Sequence, residues 1–345
     1  MSKKWPGGII TPTPATPTGP LQGGSAPGIW TLSQQAYWQK QGLWPIAGNA
    51  IFALFFGGFT NGGGTANLAI IKADLSTAGN FSYWGDLATA QSYGGVGLAS
   101  STRGVFAGGN GGGTYTKTAQ YVTFGSSGNA TFFGNLTNTT GVLNGVGGVS
   151  STTRGVIMGG AAELSGNRTS YMGYITIATT GNSTFFGNLS QDVDNLNQGG
   201  SSGTRGVIAG GYGNTTGTSS RIEYITIAST GNATSFGDLT LGRFVPAGVS
   251  SSTRAVWAGG SSTNIIDYVT IASTGNATSF GSLTFTAGDA SGVNNSTRGC
   301  IAYSGGGSTN YITIATLGNG TTFGNLTLSN NGGQKGGCCP TQGGL

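Results

Sequence analysis

The sequence predicts an all-β protein: a six-bladed, kelch-like β-propeller that is closed by its C-terminal strand and preceded by an extended N-terminal anchor arm. A skeleton of Thr-Arg-Gly/Ala, Gly-Gly, Tyr-Ile/Val-Thr-Ile and Gly-Asn-x-x-x-Phe-Gly-x-Leu recurs along most of the chain. Its Gly-Asn pair marks six units and begins at Gly79, Gly128, Gly181, Gly231, Gly275 and Gly318. A period of about 50 residues with several short strands per unit is typical of a β-propeller and is closest to the kelch period.

Each unit carries the pattern of a four-stranded meander. Residues 205–211 combine β-branched and small residues with a final glycine pair, which favours a strand followed by a turn. Tyr224-Ile225-Thr226-Ile227 alternates with a period of two, so its isoleucines should share one face. The Gly-Asn pair follows this tyrosine closely and suits the positive φ of a tight turn. We expect residues 233–237 to form the outer strand, and the residues before the next Thr-Arg to form the remaining one.

The two ends of the repeat region predict how the ring closes. The first unit begins on its second strand, with Phe52 where the other units have arginine, and Pro340-Thr341-Gln342-Gly343 mimics the opening of a unit. We therefore expect residues from about Gly332 onward to pair with the strand that begins near Ile51. This closure removes a free sheet edge. The predicted domains are an arm and docking segment over residues 1–46 and the propeller over residues 47–345.

Composition limits the class of protein. Only 7% of the 345 residues are charged, against ~25% in ordinary soluble domains. The net charge of +5 is spread out without a basic run, so we expect no nucleic-acid partner. The N-terminus lacks the apolar core of a signal peptide, and no apolar run is long enough to predict membrane insertion. We expect Cys300, Cys338 and Cys339 to be buried thiols, although a disulfide to Cys300 remains an alternative.

The sequence predicts no enzyme, no cofactor and no metal site. It contains no histidine, which excludes histidine-dependent catalytic triads and imidazole metal ligands. Asp192 and Asp194 are the closest pair among the nine acidic residues. We expect them to lie in a solvated turn, with a calcium-binding loop as the alternative. A glycosidase would need paired carboxylates that face one sugar.

An arginine opens five of the six units, and equivalent positions in a propeller form a ring. These residues are Arg103, Arg154, Arg205, Arg254 and Arg298. With few acids available to pair with them, we expect each guanidinium to donate to backbone carbonyls or turn oxygens of a neighbouring blade. An anion-binding ring is the alternative.

The loops after the glycine pair are longest in units two to four and should project from one rim. Candidate ligand contacts on this rim are Tyr115, Arg168, Tyr171, Tyr212 and Arg221. Tyrosine and arginine are efficient contact residues, and a rim rich in Asn, Ser and Thr suits sugar hydroxyls. Ordinary loop variation would explain the same pattern.

The N-terminal segment has a different composition from the repeats. A Pro/Thr-rich arm precedes residues 28–45, in which Ser33 is the expected N-cap of a short helix. This aromatic-rich segment is a candidate for docking onto a larger particle, and its candidate particle-docking residues are Trp5, Trp30, Tyr37, Trp38 and Trp44. The alternative is that these aromatic side chains plug one face of the propeller.

The motifs SKKWPGG and SAPGIWTLSQQAYWQKQGLWP, followed by Thr-Arg-Gly and Gly-Asn-x-x-x-Phe-Gly repeats, resemble the kelch-like virion structural proteins of tailed phages that infect marine cyanobacteria. The resemblance implies a non-enzymatic particle component, made in the host cytoplasm and anchored by its N-terminus, such as a tail fibre, appendage or capsid decoration. It implies other virion proteins as partners (capsid, tail or baseplate) and host surface polysaccharide as a candidate ligand. An intracellular interaction scaffold and a carbohydrate-active enzyme are the alternatives.

Overall fold

The computed structural model describes residues 4–5, 8–9, 31, 33–34, 36–37, 52–60, 65–79, 81–91, 93–111, 115–137, 144–161, 167–303, 307–325 and 336–340. The chain divides into two compact units, Met1–Ile51 and Phe52–Leu345.

The described part of the first unit is short. Strands β1 (Lys4–Trp5) and β2 (Gly8–Ile9) pair in antiparallel fashion, and residues 33, 34, 36 and 37 have helical backbone. The expected cap at Ser33 is wrong, because Thr31 takes that position. The Gln34 N–H donates to Thr31 Oγ1 at 3.2 Å and the Thr31 N–H donates to Gln34 Oε1 at 2.9 Å, which is a reciprocal capping box.

The second unit confirms the six-bladed β-propeller. Each blade is a four-stranded antiparallel meander. From the inner to the outer strand, blade 1 contains β30 (Gly336–Cys338), β3 (Phe52–Phe56), β6 (Ala69–Asp74) and β7 (Ser82–Asp86); blade 2 contains β8 (Gly95–Ala99), β9 (Arg103–Gly108), β10 (Thr118–Thr123) and β11 (Thr131–Asn135); and blade 3 contains β12 (Gly147–Ser150), β13 (Arg154–Met158), β14 (Thr169–Thr176) and β15 (Thr184–Asp194).

Blades 4 to 6 follow the same order. Blade 4 contains β16 (Gly200–Ser201), β17 (Arg205–Ala209), β20 (Arg221–Thr226) and β21 (Thr234–Asp238); blade 5 contains β22 (Ala247–Ser250), β23 (Arg254–Ala258), β24 (Thr263–Thr270) and β25 (Thr278–Ala287); and blade 6 contains β26 (Ala290–Asn294), β27 (Arg298–Tyr303), β28 (Ser308–Thr313) and β29 (Thr321–Asn325). The described loops contain two short hairpins: β4 (Phe59–Thr60) with β5 (Thr65–Ala66), and β18 (Tyr212–Gly213) with β19 (Gly217–Thr218).

The C-terminal strand closes the ring as predicted. Strand β30 pairs with β3, with Leu54 opposite Cys338 and Phe56 opposite Gly336. The segment that pairs precedes the Pro340–Gly343 sequence that mimics the start of a unit, and residues 341–345 lie outside the described residues. Closure therefore comes from the glycine-rich inner strand that the tail supplies to blade 1.

The hydrophobic core is divided among the six seams between adjacent blades. Each buried cluster combines side chains from two neighbouring blades, such as Val105 of blade 2 with Ile175 of blade 3. Burying a side chain of this size stabilises the fold by about 1.5–3 kcal/mol. The cysteines belong to the seams on either side of blade 1, where all three are buried and none forms a disulfide. Burial raises the pKa of the Cys300 thiol, which keeps it protonated.

Candidate binding surface

The axis of the propeller is lined by inner strands that meet backbone to backbone. Every residue of these six strands is buried. A Cβ atom on Gly97 of blade 2 would lie 2.0 Å from the carbonyl oxygen of Gly337 in blade 1, and one on Gly248 would lie 1.7 Å from that of Gln198. Glycine is therefore required where these strands approach one another. The inner strands present no exposed side chain to a ligand on the axis.

A chain of backbone hydrogen bonds joins the connections that lead into the inner strands. It runs from the N–H groups of Val146, Leu196, Val245 and Ala290 to the carbonyl oxygens of Gly94, Gly145, Asn195 and Val245 at 2.8–3.2 Å. The four acceptor residues all have positive φ. Val245, at φ 54°, is β-branched and carries a strain of about 1–2 kcal/mol. The position is held because the preceding and following blades bond to both of its backbone groups.

The five equivalent arginines lie at the seams. Each guanidinium donates to one or two backbone carbonyls of the following blade at 2.7–3.1 Å: Arg103 to Ile177 and Ala178, Arg154 to Ile227 and Ala228, Arg205 to Ile271 and Ala272, Arg254 to Ile314, and Arg298 to Leu75. Each also lies 4.2–4.5 Å from the ring centroid of a tyrosine of its own blade. Their donors and charge are directed at protein groups, an arrangement that binds adjacent blades together.

The Gly-Asn pair does not form the tight turn that the sequence predicts: in blade 3 the turn lies at residues 177–178, and Gly181 and Asn182 follow it. The pair has another role, which sequence reasoning missed. In the five seams whose Gly-Asn asparagine lies among the described residues, its Oδ1 accepts a backbone N–H from the outer strand of the preceding blade at 2.9–3.1 Å. In four of these seams the glycine N–H donates to a carbonyl of that strand as well, as Gly231 does to Phe186 at 2.8 Å. The Gly-Asn pair of one blade thus occupies the outer edge of its neighbour, the edge that would otherwise be open to pairing with another chain. We call this contact the edge clasp.

The Phe-Gly pair of the repeat has the same explanation. A Cβ atom on Gly187 would lie 2.1 Å from the carbonyl oxygen of Gly231, and one on Gly134 would lie 2.0 Å from that of Gly181. Only glycine leaves room for the clasp of the next blade. The signal was visible as repeated Phe-Gly and Gly-Asn pairs, but the partner is about 45 residues distant along the chain and no local pattern identifies it.

Buried polar side chains before the repeat tyrosine also hold the seams. Glu223 Oε1 accepts the Ser190 N–H at 2.9 Å, and Asp267 accepts the Thr240 hydroxyl at 2.7 Å. Asp267 forms a fully buried ion pair with Arg243 at 2.8 Å. Desolvation by burial lowers the pKa of Arg243, and the carboxylate of Asp267 opposes that shift. These two acids therefore have structural partners, and sequence reasoning missed Arg243.

The predicted turn at Asp192 and Asp194 is wrong, and of the two only Asp192 is exposed to solvent. Both residues lie in the long outer strand β15, and Asp194 is buried against Arg168, whose Nε lies 2.7 Å from Asp194 Oδ1. Desolvation raises the pKa of Asp194, with the hydrogen bond and charge of Arg168 opposing the shift. The hairpin β18–β19 pairs with the end of β15, so the loop of blade 4 extends the sheet of blade 3. This pairing holds the end of β15, which carries Asp192 and Asp194, in a strand rather than a turn.

Two of the five candidate rim residues, Arg168 and Tyr212, take part in packing between blades. The Arg168 guanidinium lies 4.7 Å from the Tyr212 ring centroid, so the two side chains join the loops of blades 3 and 4. Arg221 donates to Ser190 Oγ at 3.0 Å and is otherwise exposed. Tyr115 lies beside Asn110 in an isolated bridge. The structure does not gather the five candidates into one site.

The candidate particle-docking residues lie mostly outside the described part of the chain. Trp30, Trp38 and Trp44 fall there, and only the backbone of Trp5 is described, in β1. Tyr37 is described and is 56% exposed.

Among the described side chains of the propeller, the three most exposed aromatic ones occupy one equivalent position, which sequence reasoning also missed. The second residue of the outer strand is Tyr83 in blade 1, Phe132 in blade 2 and Phe185 in blade 3, and these are 56%, 53% and 52% exposed. The same position holds Ser235, Ser279 and Thr322 in blades 4 to 6. We call Tyr83, Phe132 and Phe185 the aromatic stripe.

Small polar crevices lie between adjacent blades at the segments that carry the edge clasp. Those at blades 3, 4 and 6 have volumes of about 160, 220 and 210 Å³. The crevice at blade 3 is lined by Phe133 of blade 2 and by the segments 174–176, 179–182 and 184 of blade 3. These crevices offer hydroxyl and amide groups beside an aromatic edge.

Within the described residues, no cluster of three or more acidic or cysteine side chains is arranged to hold a metal ion. Those residues also include no helix that is long and apolar enough to cross a membrane. No protein-family model matches the chain, and no curated protein matches it.

Proposed function

We propose that this chain is a non-enzymatic structural protein of a bacteriophage virion, displayed on the particle as a tail fibre, appendage or capsid decoration and anchored through its N-terminal segment. The propeller is the displayed part and offers its outer circumference to host-surface glycans. The resemblance of the N-terminal motifs and of the repeats to phage virion proteins supports the particle role.

The observation that carries the proposal is how the polar groups of the propeller are used. The seam arginines, the edge clasps and the buried acids bind blade to blade, and the inner strands leave no exposed side chain on the axis. Such a ring depends on no ligand for its stability. It suits a passive, protease-resistant display platform better than a glycosidase, which needs paired acids that face one sugar at a mouth of the channel.

Five of the nine acidic residues support the same proposal. Asp74 accepts hydrogen bonds from Ser76, and Asp238 accepts one from Ser220 Oγ at 2.9 Å. Asp194, Glu223 and Asp267 are buried with structural partners. These carboxylates are committed to the fold, so they are poorly placed to protonate a glycosidic oxygen or to attack a sugar.

The test is to purify particles by density-gradient centrifugation, wash them in high salt and quantify the protein by mass spectrometry. We expect a fixed number of copies per particle and labelling of intact particles by an antibody against the propeller. Recovery of the chain only from the soluble fraction of infected cells would contradict the proposal and favour an intracellular scaffold. The high-salt wash controls for adsorbed protein, since exposed charge contacts weaken with ionic strength.

A further inference from the structure

The aromatic stripe is a property of half of the ring. Its three residues share one register position, opposite Ile71, Gln120 and Gly173 on the third strands of blades 1, 2 and 3. They therefore lie at the same radius and height on three consecutive blades. Blades 4 to 6 carry a serine or threonine at this position, so the fold does not require an aromatic side chain there. Blade packing does not account for the aromatic rings.

The three exposed rings leave apolar surface in contact with water, and a ligand that covers this surface gains the free energy of its burial. Each keeps more than half of its surface exposed although the core of the seam lies one residue further along the strand, at Phe133 and Phe186. On blade 3, Tyr171 adds a second ring 5.3 Å from that of Phe185. On blade 1, a hydrogen bond with Asp86 raises the pKa of Tyr83, which therefore remains a neutral phenol at physiological pH.

The surroundings of the stripe are rich in hydroxyl groups. Exposed Ser82, Thr131 and Thr184 directly precede the three aromatic residues, and Thr184 also lines the crevice between blades 2 and 3. The charged groups in this region have partners within the protein. The seam arginines of blades 2 and 3 bond to carbonyls, Asp86 is hydrogen-bonded to Tyr83, and the Lys72 ammonium lies over the rings of Phe52 and Trp84. The chemistry is that of flat apolar rings alternating with neutral hydroxyl and amide groups.

We propose that the aromatic stripe binds a neutral polysaccharide that runs across the outer strands of blades 1 to 3. The apolar faces of pyranose rings stack on Tyr83, Phe132 and Phe185, while the hydroxyl-lined crevice between blades 2 and 3 receives sugar hydroxyls. A ligand that itself repeats fits three equivalent contacts at a regular spacing, whereas a folded protein partner has no need of that regularity. This inference rests on the proposed function and names the ligand class and its residues.

The test uses the full-length chain in native affinity gels that contain mixed-linkage β-glucan, mannan, galactan or alginate. We expect at least one of the three neutral polysaccharides to retard the protein. The triple variant Tyr83→Ser, Phe132→Ser, Phe185→Ser places in blades 1 to 3 the kind of residue that blades 4 to 6 carry. Its affinity should fall by at least about tenfold with an unchanged melting temperature.

The control is Leu317→Ser, which removes an exposed apolar side chain from the crevice of blade 6 and should leave binding unchanged. Three results would each overturn the proposal: no retardation in any neutral polysaccharide, retardation in alginate alone, or equal binding by the triple variant. Light scattering provides a fourth. If the intact chain is an oligomer and the triple variant a monomer, the stripe is a contact between copies of the chain.

Failure of this inference and failure of the proposed function give different results. If the particles contain the protein but the stripe binds no neutral polysaccharide, the proposed display role is supported and the stripe is not the ligand site. If the chain binds polysaccharide but is absent from washed particles, the stripe is the ligand site and the proposed particle role is contradicted.

Discussion

Lys72 and Phe52 of blade 1 form a cation–ring pair like that of the arginine and tyrosine in the other blades, but with the cation and the ring on exchanged strands. The Lys72 Nζ lies 4.7 Å from the Phe52 ring centroid, with the cation on the third strand and the ring on the second. In blades 2 to 6 the cation is on the second strand and the ring on the third. Phe52 meets Phe124 of blade 2 at 5.9 Å, so an aromatic contact takes the place of the arginine–carbonyl contact at this seam.

The arginine contacts should stabilise the ring measurably. Arg205→Met removes two hydrogen bonds of 2.9 Å to the carbonyls of Ile271 and Ala272, together with the stacking on Tyr224. We expect the free energy of unfolding to fall by about 1.5–3 kcal/mol, since the donor is charged and its bond to Ile271 is partly buried, whereas the bond to Ala272 is exposed. Arg205→Lys should recover only part of this loss, because an ammonium cannot reproduce the planar fork. Equal stability of all three proteins in urea denaturation would contradict this role.

The edge clasp can be tested with a single amide. Asn232→Ala removes the acceptor of the Asn188 N–H, which lies 3.0 Å away. The expected cost is about 0.5–1.5 kcal/mol, with faster hydrogen exchange at the Asn188 amide. Asn232→Asp retains an acceptor oxygen and serves as the matched variant. Unchanged exchange at Asn188 in the alanine variant would show that the clasp does not protect the edge.

The close packing of the inner strands predicts a strong effect of one methyl group. Gly97→Ala would place a Cβ atom 2.0 Å from the Gly337 carbonyl oxygen, and both atoms belong to inner strands that cannot move apart independently. We expect a loss of about 1–3 kcal/mol or more, from overpacking. Gly125→Ala is the control, since nothing lies within 4 Å of its Cβ position. Similar melting temperatures for the two variants would contradict the backbone-to-backbone arrangement.

Closure by the tail predicts a sharp dependence on length. A chain that ends before Gly332 lacks β30, which exposes the edge of β3 and removes the buried Cys338 and Cys339 side chains. We expect the melting temperature to fall sharply and aggregation to increase, because an unpaired edge strand recruits other chains. A chain that ends at Pro340 retains β30 and is the control. An unchanged melting temperature for the shorter chain would rule out closure as a source of stability.

Asp289 predicts a pH effect on stability. Burial raises the pKa of its carboxyl group above the ordinary value of 3.8. The native state then binds the proton more tightly than the unfolded state, so ionisation destabilises the fold as the pH rises through this range. Asp289→Asn should therefore be more stable than the original chain at pH 7, and the difference should shrink as the pH falls through the raised pKa. Urea denaturation at pH 7 and at pH 3 measures the difference in the free energy of unfolding between the two proteins. A difference that grows on acidification would contradict a raised pKa at Asp289.

The sequence by itself determined the number of blades, the strand order within a blade and the closure by the tail. The strands and turns follow from local chemistry, because the alternation along Tyr224–Ile227 and the glycine pairs each act over a few residues. The number of blades follows from the recurrence of the unit about every 50 residues. The exposed aromatic position could also have been found by comparing the outer strands of the six units, since Phe132 and Phe185 stand where Ser235 and Ser279 do.

Only the tertiary structure decided which residues meet. Arg298 bonds to Leu75, which lies 223 positions away along the chain, and Asp194 is buried because a hairpin from blade 4 pairs with its strand. Residue types and spacing specify which face of a strand is apolar, but they do not identify the residue on another blade that a side chain contacts. The role of the Gly-Asn pair as an edge clasp, the burial of Arg243 and the contact of Arg168 with Tyr212 all depend on how the ring brings distant segments together.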